Sequence, residues 1–320
     1  MTGQSALAAS YDSLLLDLDG VVYIGPQAVP HAAQALAAAR AAGVGCAFVT
    51  NNASRTPDLV AEHLNELGIP ATAREVVNSS QAAAHLILEQ LGTGATVLAV
   101  GGPGVTAALL DRGLVPVETA EPTPQAVMMG YGPDVGWRNL AEAAYAVHAG
   151  ALFVATNPDT SFPTPRGIAP GNGTLVAAVS AATGVKPIVA GKPFAPIVRE
   201  AIDRLGSRNP LMVGDRLDTD IEAAYNTQID SLLVMTGVTT VRELCLAPIQ
   251  HRPTFVSPDL RGLAHPADAL RVRTDASGSP WGQWLRGIAD AWKRNDEGSD
   301  PCAGVDLERL EKVLAEYLAA

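Results

Sequence analysis

Short apolar runs of strand length alternate with alanine-rich helical stretches along most of this chain, and no other feature limits its fold as much. Residues 14–16, 44–49, 76–77, 96–100, 126–129, 152–156, 187–190, 211–213 and 232–235 read as buried strands. Between them, residues 32–42, 57–67, 81–91, 105–112, 140–149, 175–183, 195–205 and 221–226 read as helices, several stopped by a glycine such as Gly43 or Gly68. A strand followed by a helix and another strand returns the chain in the same direction, so the sequence predicts parallel sheets covered by helices on both faces. There are more such units than one sheet comfortably holds, and two α/β domains are expected.

The tail follows a different rule. After a polar joint at 275–280, Trp281, Trp284, Leu285, Ile288 and Trp292 recur at helical spacing; after a second joint at 295–304, so do Leu307, Leu310, Val313, Leu314, Tyr317 and Leu318. Two amphipathic helices packed onto the main body are expected, with a partner-binding appendage as the other reading.

Composition narrows the function classes. The 320 residues are 48% hydrophobic and 17% charged, which suits a large core. The 22 basic and 33 acidic side chains leave a net charge of -11, which argues against nucleic acid or an anionic membrane as partner but allows a small anionic substrate in a local positive site. Cys46, Cys245 and Cys302 show neither zinc spacing nor a disulfide framework and fit reduced thiols. Residues 1–10 lack a basic start followed by an apolar run, and no stretch approaches the ~18 apolar residues of a membrane span. A cytoplasmic protein is expected.

Four strand ends carry chemistry. In Leu15-Leu16-Asp17-Leu18-Asp19-Gly20 a buried strand runs into two carboxylates at alternate positions, which share a face on extended chain, and then into a glycine. Functional groups gather beyond the carboxyl ends of parallel strands. A second acidic cluster, Gly214-Asp215-Arg216-Leu217-Asp218-Thr219-Asp220, follows another short strand. Helix capping accounts for Asp218 or Asp220, but not for Asp215. Val49-Thr50-Asn51-Asn52 and Ala190-Gly191-Lys192-Pro193 supply a hydroxyl, carboxamides, backbone amides and one full positive charge, the makings of a phosphate cradle. Each alone has a bland explanation, as a turn or a solvated side chain. Their coincidence does not.

These residues resemble the four motifs of the haloacid dehalogenase superfamily of phosphohydrolases, in family order: Asp17-Leu18-Asp19, Thr50, Lys192 and Gly214 to Asp220. The long stretch between Thr50 and Lys192 is similar to the α/β (C2-type) cap of the NagD-like branch, which includes phosphoglycolate or glycerol-3-phosphate phosphatases and pyridoxal phosphatase. Thr156-Asn157-Pro158-Asp159 adds to that likeness, which spans roughly residues 12 to 265. The resemblance implies a Rossmann-like parallel-sheet core with an inserted α/β cap and a helical C-terminal appendage. The expected boundaries are 1–91 and 185–274 for the core, 92–184 for the cap and 275–320 for the appendage.

The resemblance also implies a mechanism that suits the charges. Four acids near one point repel each other unless a cation is present, and oxygen ligands of this kind suit Mg²⁺. Asp17 is then the nucleophile of an aspartyl-phosphate intermediate and Asp19 the acid and base. Asp17 and Asp215 hold Mg²⁺ by side chain and Asp19 by its backbone carbonyl. Thr50, Asn51, Asn52 and Lys192 bind the phosphoryl oxygens, and Asp220 acts from outside the metal's direct ligands. Asn157, Asp159 and Phe162 are candidate substrate contacts from the cap. Pyridoxal phosphatases favour a histidine near the position of Phe162, and the run Met212 to Ile221 is more similar to the phosphoglycolate and glycerol-phosphate phosphatases, so the resemblance implies a small two- or three-carbon phosphate, glycerol 3-phosphate first and phosphoglycolate next. Caps of this branch often mediate homodimers. A phosphomutase or phosphotransferase using the same nucleophile and a non-catalytic metabolite-binding module are the alternatives.

Three rival signals are weak. Gly102-Pro103-Gly104 opens a helix after a strand, as a dinucleotide fingerprint does, but has a proline in the turn and no ribose-binding acid at the expected distance. Gly191-Lys192 lacks the earlier glycine and following Ser/Thr of a P-loop. No Gly-x-Ser-x-Gly elbow is present.

Overall fold

A computed structural model describes residues 5–164, 166–276 and 278–320. Residues 1–4, on which the expected absence of a leader partly rests, lie outside the described residues. The chain forms two compact units. One comprises Met1–Phe48, Leu64–Pro70 and Ala201–Ala320; the other comprises Val49–His63 and Ala71–Glu200.

In the first unit the strands Phe255–Ser257, Asp230–Val234, Pro210–Gly214 and Ser13–Leu16 and residues 45–48 of the strand Gly45–Thr50 lie side by side in that order, with every pairing between these neighbours parallel. Leu14, Leu15, Leu16, Phe48, Leu211, Met212, Val213, Leu232, Leu233 and Val234 are all buried, because helices cover both faces of a parallel sheet. Full burial of a Leu or Val side chain contributes about 1.5–3 kcal/mol of apolar transfer. Register matters more for function: Leu16 pairs with Val213, and Asp17 extends the ladder by donating its N–H to the Val213 carbonyl at 2.8 Å. Asp17 and Asp215 therefore leave the sheet side by side, at the same end of adjacent strands.

The register is pinned at the opposite end of the same strands. The Asp12 carboxylate accepts hydrogen bonds from the Ser207 hydroxyl and from the backbone N–H of Arg208 (2.7 Å) and Asn209 (3.0 Å). Burial on its own would raise the Asp12 carboxyl, but these bonds outweigh it and hold the group below the usual carboxylate range.

The second unit has its own parallel sheet, ordered Ile188–Val189, Leu152–Ala155, Ala126–Met129, Thr96–Val100 and Val115–Val117. Its core joins Leu98, Val100, Val127, Met129 and Phe153 from the strands to Ala143, Ala146, Val147, Val176 and Val179 from the helices Trp137–His148 and Asn172–Thr183. The alternation did not reveal the strand Val115–Val117. It holds Pro116 at its centre, and proline is tolerated in a sheet at an edge, which is where this strand lies. The antiparallel hairpin of Ser161–Thr164 with Gly167–Pro170 was likewise not foreseen.

Gly102 caps the helix Pro103–Asp111. A Cβ on Gly104 would collide with the Ala53 carbonyl and stand 3.1 Å from that of Arg55. These glycines admit a neighbouring protein backbone, and the space a pyrophosphate would need is taken.

The tail forms the helices Pro280–Asp296 and Leu307–Ala319, and their apolar faces pack within the first unit. Trp281 stacks on Trp284 with ring centroids 4.5 Å apart. Trp284 Nε1 donates to the Leu310 carbonyl at 3.0 Å and Trp292 Nε1 to that of Leu244 at 2.7 Å. Arg252 holds Asp296 by two bonds of 2.8 and 2.7 Å. The two amphipathic helices thus pack onto the body, as their spacing predicts. Among the described residues no helix is long and apolar enough to cross a membrane.

Candidate active site

In the first unit, Asp17, Asp215 and Asp220 each offer a carboxylate oxygen, and these oxygens all lie within 4.8 Å of one another. Asp17 is 9% exposed; Asp215 and Asp220 are fully buried. Asp17 and Asp215 meet because their strands are neighbours in register. Asp220 joins them through a π-helical turn, Leu217–Ile221, in which the Ile221 N–H bonds to the Arg216 carbonyl five residues back. The turn carries the Asp220 carboxylate back to its own strand end, where Oδ2 accepts the N–H of Asp215 at 3.2 Å and of Arg216 at 3.1 Å. Expected outside the direct ligands, Asp220 stands among the candidate ligand atoms themselves while also orienting the Asp215 backbone.

Glycines make room for this cluster. A Cβ on Gly214 would collide with the Asp220 side chain, one on Gly20 would lie 2.5 Å from Asp215 Oδ2, and one on Gly237 would overlap that same oxygen. Gly20 also has φ +85°, which the turn after Asp19 requires. In that turn the N–H groups of Val22 and Tyr23 bond to the Leu18 carbonyl, and the Asp19 side chain is left exposed. The segment after the strand Asp230–Val234 was not singled out from sequence. There the Val238 N–H donates to Asp215 Oδ2 at 2.7 Å, and the Thr236 hydroxyl donates to the Gly20 carbonyl at 2.5 Å. Its signal was present: a Thr-Gly pair at the end of a strand adjacent to the one bearing Asp215.

The donor set tests whether a cation fits. Three carboxylates this close repel one another, and a divalent ion offsets that repulsion. Oxygen-only donors are the chemistry of Mg²⁺ or Ca²⁺, not of soft thiophilic metals. The residues fit the group.

The second unit carries the remaining site candidates, at the ends of Gly45–Thr50 and Ile188–Val189. Thr50 is buried and its hydroxyl accepts the Asn52 N–H at 3.1 Å. Asn52 Oδ1 accepts from the Ser54 N–H (3.0 Å) and hydroxyl (2.8 Å), closing a turn. Asn51 uses its carboxamide on the Lys192 backbone, with bonds of 2.8 and 2.9 Å, and on Asp159 at 3.3 Å. Lys192 is 2% exposed, and its Nζ donates to the Val49 carbonyl at 3.0 Å.

The cap candidates divide. Asn157 is buried; its Nδ2 donates to the Asn51 carbonyl at 2.8 Å and its Oδ1 accepts the Asp159 N–H at 3.2 Å. Phe162 sits in the hairpin and meets Tyr131 edge to face, centroids 4.8 Å apart. Asn172, in the segment Pro170-Gly171-Asn172-Gly173 that the sequence places with this cap loop, is buried and donates to the carbonyls of Asn157 (3.0 Å) and Met129 (3.2 Å).

Comparison with known proteins agrees with this geometry. The family model for haloacid dehalogenase-like hydrolases matches residues 14–115, and a second HAD-hydrolase-like model matches residues 189–263. The chain is 47% identical over 267 residues to the D-glycerol 3-phosphate phosphatase of Mycobacterium tuberculosis, covering 83% of this chain and 75% of the relative. It is 40% identical over 252 residues to an acid sugar phosphatase of Staphylococcus aureus, covering 78% and 95% of the two chains. A crystal structure of a glycerol phosphate phosphatase from Mycobacterium tuberculosis in complex with magnesium superposes with a TM-score of 0.86 at 40% identity, covering 95% of this chain and 100% of that one.

Proposed function

Because this chain belongs to the haloacid dehalogenase-like hydrolases, we propose that it is a phosphatase that hydrolyses small phosphate monoesters through an aspartyl-phosphate on Asp17, with glycerol 3-phosphate its first substrate and phosphoglycolate the next. The observation that carries this reading is the meeting of Asp17, Asp215 and Asp220 within 4.8 Å at the carboxyl ends of adjacent parallel strands. The 47% identical relative, named for its action on D-glycerol 3-phosphate, supports the choice of substrate.

Asp17, Asp215 and Asp220 by side chain, with the Asp19 backbone carbonyl, would hold Mg²⁺, which when bound supplies positive charge against the substrate phosphate and the clustered carboxylates. The Asp17 carboxylate attacks phosphorus, and the bond from phosphorus to the ester oxygen breaks. Asp19 gives its proton to the departing alkoxide. The Asp19 carboxylate then takes a proton from water, whose oxygen attacks the phosphorus of the acyl phosphate and frees inorganic phosphate and Asp17. Lys192 and the Thr50 hydroxyl offset charge on the phosphoryl oxygens, while Asn52 holds the turn that follows Thr50. Residues 92–184 act as the cap, and the Asp159 and Phe162 region meets the organic part of the substrate. A cytoplasmic location and a homodimer belong to the same reading.

The test is a phosphate-release screen with Mg²⁺ over glycerol 3-phosphate, phosphoglycolate, pyridoxal 5′-phosphate, sugar phosphates and nucleoside monophosphates. Glycerol 3-phosphate should give the highest kcat/KM. Asp17→Asn should abolish release without unfolding the chain, and retained turnover would reject the nucleophile.

A further inference from the structure

Resting on the reading that Lys192 serves the phosphoryl group, we infer that Asn51 is a positioning residue: its carboxamide aims that lysine and is not itself a phosphate contact. Asn51 Oδ1 accepts the Lys192 backbone N–H at 2.8 Å, and Asn51 Nδ2 donates to the Lys192 carbonyl at 2.9 Å. A carboxamide has the donor and acceptor of a peptide group. It therefore pairs with both backbone groups of one residue, as a neighbouring strand would. The strand Ile188–Val189 has ended by this point, and the Asn51 side chain takes up the pairing at Lys192.

The carboxamide has only one workable orientation. Its other amide hydrogen faces Asp159 Oδ2, 3.3 Å from Nδ2. Turning the group over would set Oδ1 against a carbonyl and a carboxylate, and would set an N–H against an N–H. The backbone of Asn51 is held as well, its carbonyl accepting from the Ser79 hydroxyl and Asn157 Nδ2, both at 2.8 Å. Gly191 permits the approach, since a Cβ there would lie 2.6 Å from Asn51 Oδ1 and 2.5 Å from the Thr156 carbonyl.

The clamp thus fixes the root of the lysine, and the Val49 carbonyl, 3.0 Å from Nζ, guides its tip. A four-carbon stem is otherwise free to swing, and misplacing a charge by about 1 Å can cost on the order of 100-fold in rate.

A double-mutant cycle tests the inference. Asn51→Ala, Lys192→Ala and the double variant are compared at saturating Mg²⁺ by kcat, by inhibition with inorganic phosphate and by thermal melting, using enough enzyme to follow the slow Lys192→Ala background. Asn51→Ala should lower kcat about 10- to 100-fold and weaken phosphate inhibition when Lys192 is present, and should change neither much when it is absent. Equal losses in both backgrounds overturn the positioning role and leave the phosphatase reading intact. No loss on Lys192→Ala overturns instead the role of the lysine on which the inference rests. Should Asn51→Ala fail to fold, Asn51→Ser, whose single hydroxyl cannot supply both the donor and the acceptor of the clamp, should give a loss confined to the Lys192 background; a loss in both backgrounds again counts against the clamp.

Discussion

Asp220 reaches back five residues to the N–H of Asp215, 3.2 Å from its Oδ2, and so builds the bend that presents Asp215. The same oxygen accepts from Arg216 at 3.1 Å, and the carboxylate also lies among the candidate metal ligands. Two substitutions separate these roles. Asp220→Asn can keep an acceptor oxygen while removing the charge, so Mg²⁺ affinity should fall about 10- to 100-fold with little change in melting temperature. Asp220→Ala also strips both N–H groups of their acceptor and should cost about 1–3 kcal/mol of stability besides. Calorimetric titration with Mg²⁺ and denaturant melts measure the two effects. Unchanged metal affinity in both variants would remove Asp220 from the metal site.

Gly237 offers a second probe, remote in sequence from every motif. A methyl group there would overlap Asp215 Oδ2, the oxygen that also accepts the Val238 N–H at 2.7 Å. Gly237→Ala should displace that carboxylate and raise the Mg²⁺ concentration needed for half-maximal turnover about tenfold or more. Overpacking should also lower stability by about 1–3 kcal/mol. A variant with wild-type Mg²⁺ dependence would show that the loop yields and the carboxylate stays.

The sequence made some parts of this molecule legible and left others hidden, for physical reasons. Asp17 and Asp215 could be placed because a buried strand is a short apolar run and a parallel sheet sets its functional groups at the carboxyl ends. The π-helical turn at Leu217–Ile221 could not, since spacing alone does not separate it from an ordinary helix start. Asn51 was read as a phosphate contact because a carboxamide beside a candidate phosphate-binding threonine suits that role. Its bonds to Lys192 join residues 141 apart in sequence, a relation no local pattern carries. Thr236 and Gly237 escaped notice for the same reason, as their importance lies in what they touch.

Asp12 gives a prediction in pH. Although burial works against it, hydrogen bonding by Ser207, Arg208 and Asn209 keeps its carboxyl depressed in the folded chain. A depressed carboxyl stabilises the fold fully above its unfolded value of about 4, and that contribution is lost as pH falls through the lower folded value. The stability gap between wild type and Asp12→Asn should therefore be widest near neutrality and narrow on acidification below about pH 4. Urea melts at several pH values measure it. A gap that widened in acid would contradict the assignment.

The three thiols should differ sharply in reactivity. Cys46 and Cys245 are buried, whereas Cys302 is partly exposed. The Cys245 thiol is pushed up to about 12, first by burial and then by neighbouring Cys302, so almost none of it is thiolate under mild alkali. Thiolate is the form that attacks a disulfide reagent. Folded protein titrated near pH 8 with an aromatic disulfide should thus show fast reaction at Cys302 alone, and denaturant should release all three. Cys302→Ser should erase the fast phase. If that phase survived the substitution, one of the other two thiols would have to reach solvent, and the packing of the strand Gly45–Thr50 or of the helix Val241–Cys245 would need to open on the time scale of the assay.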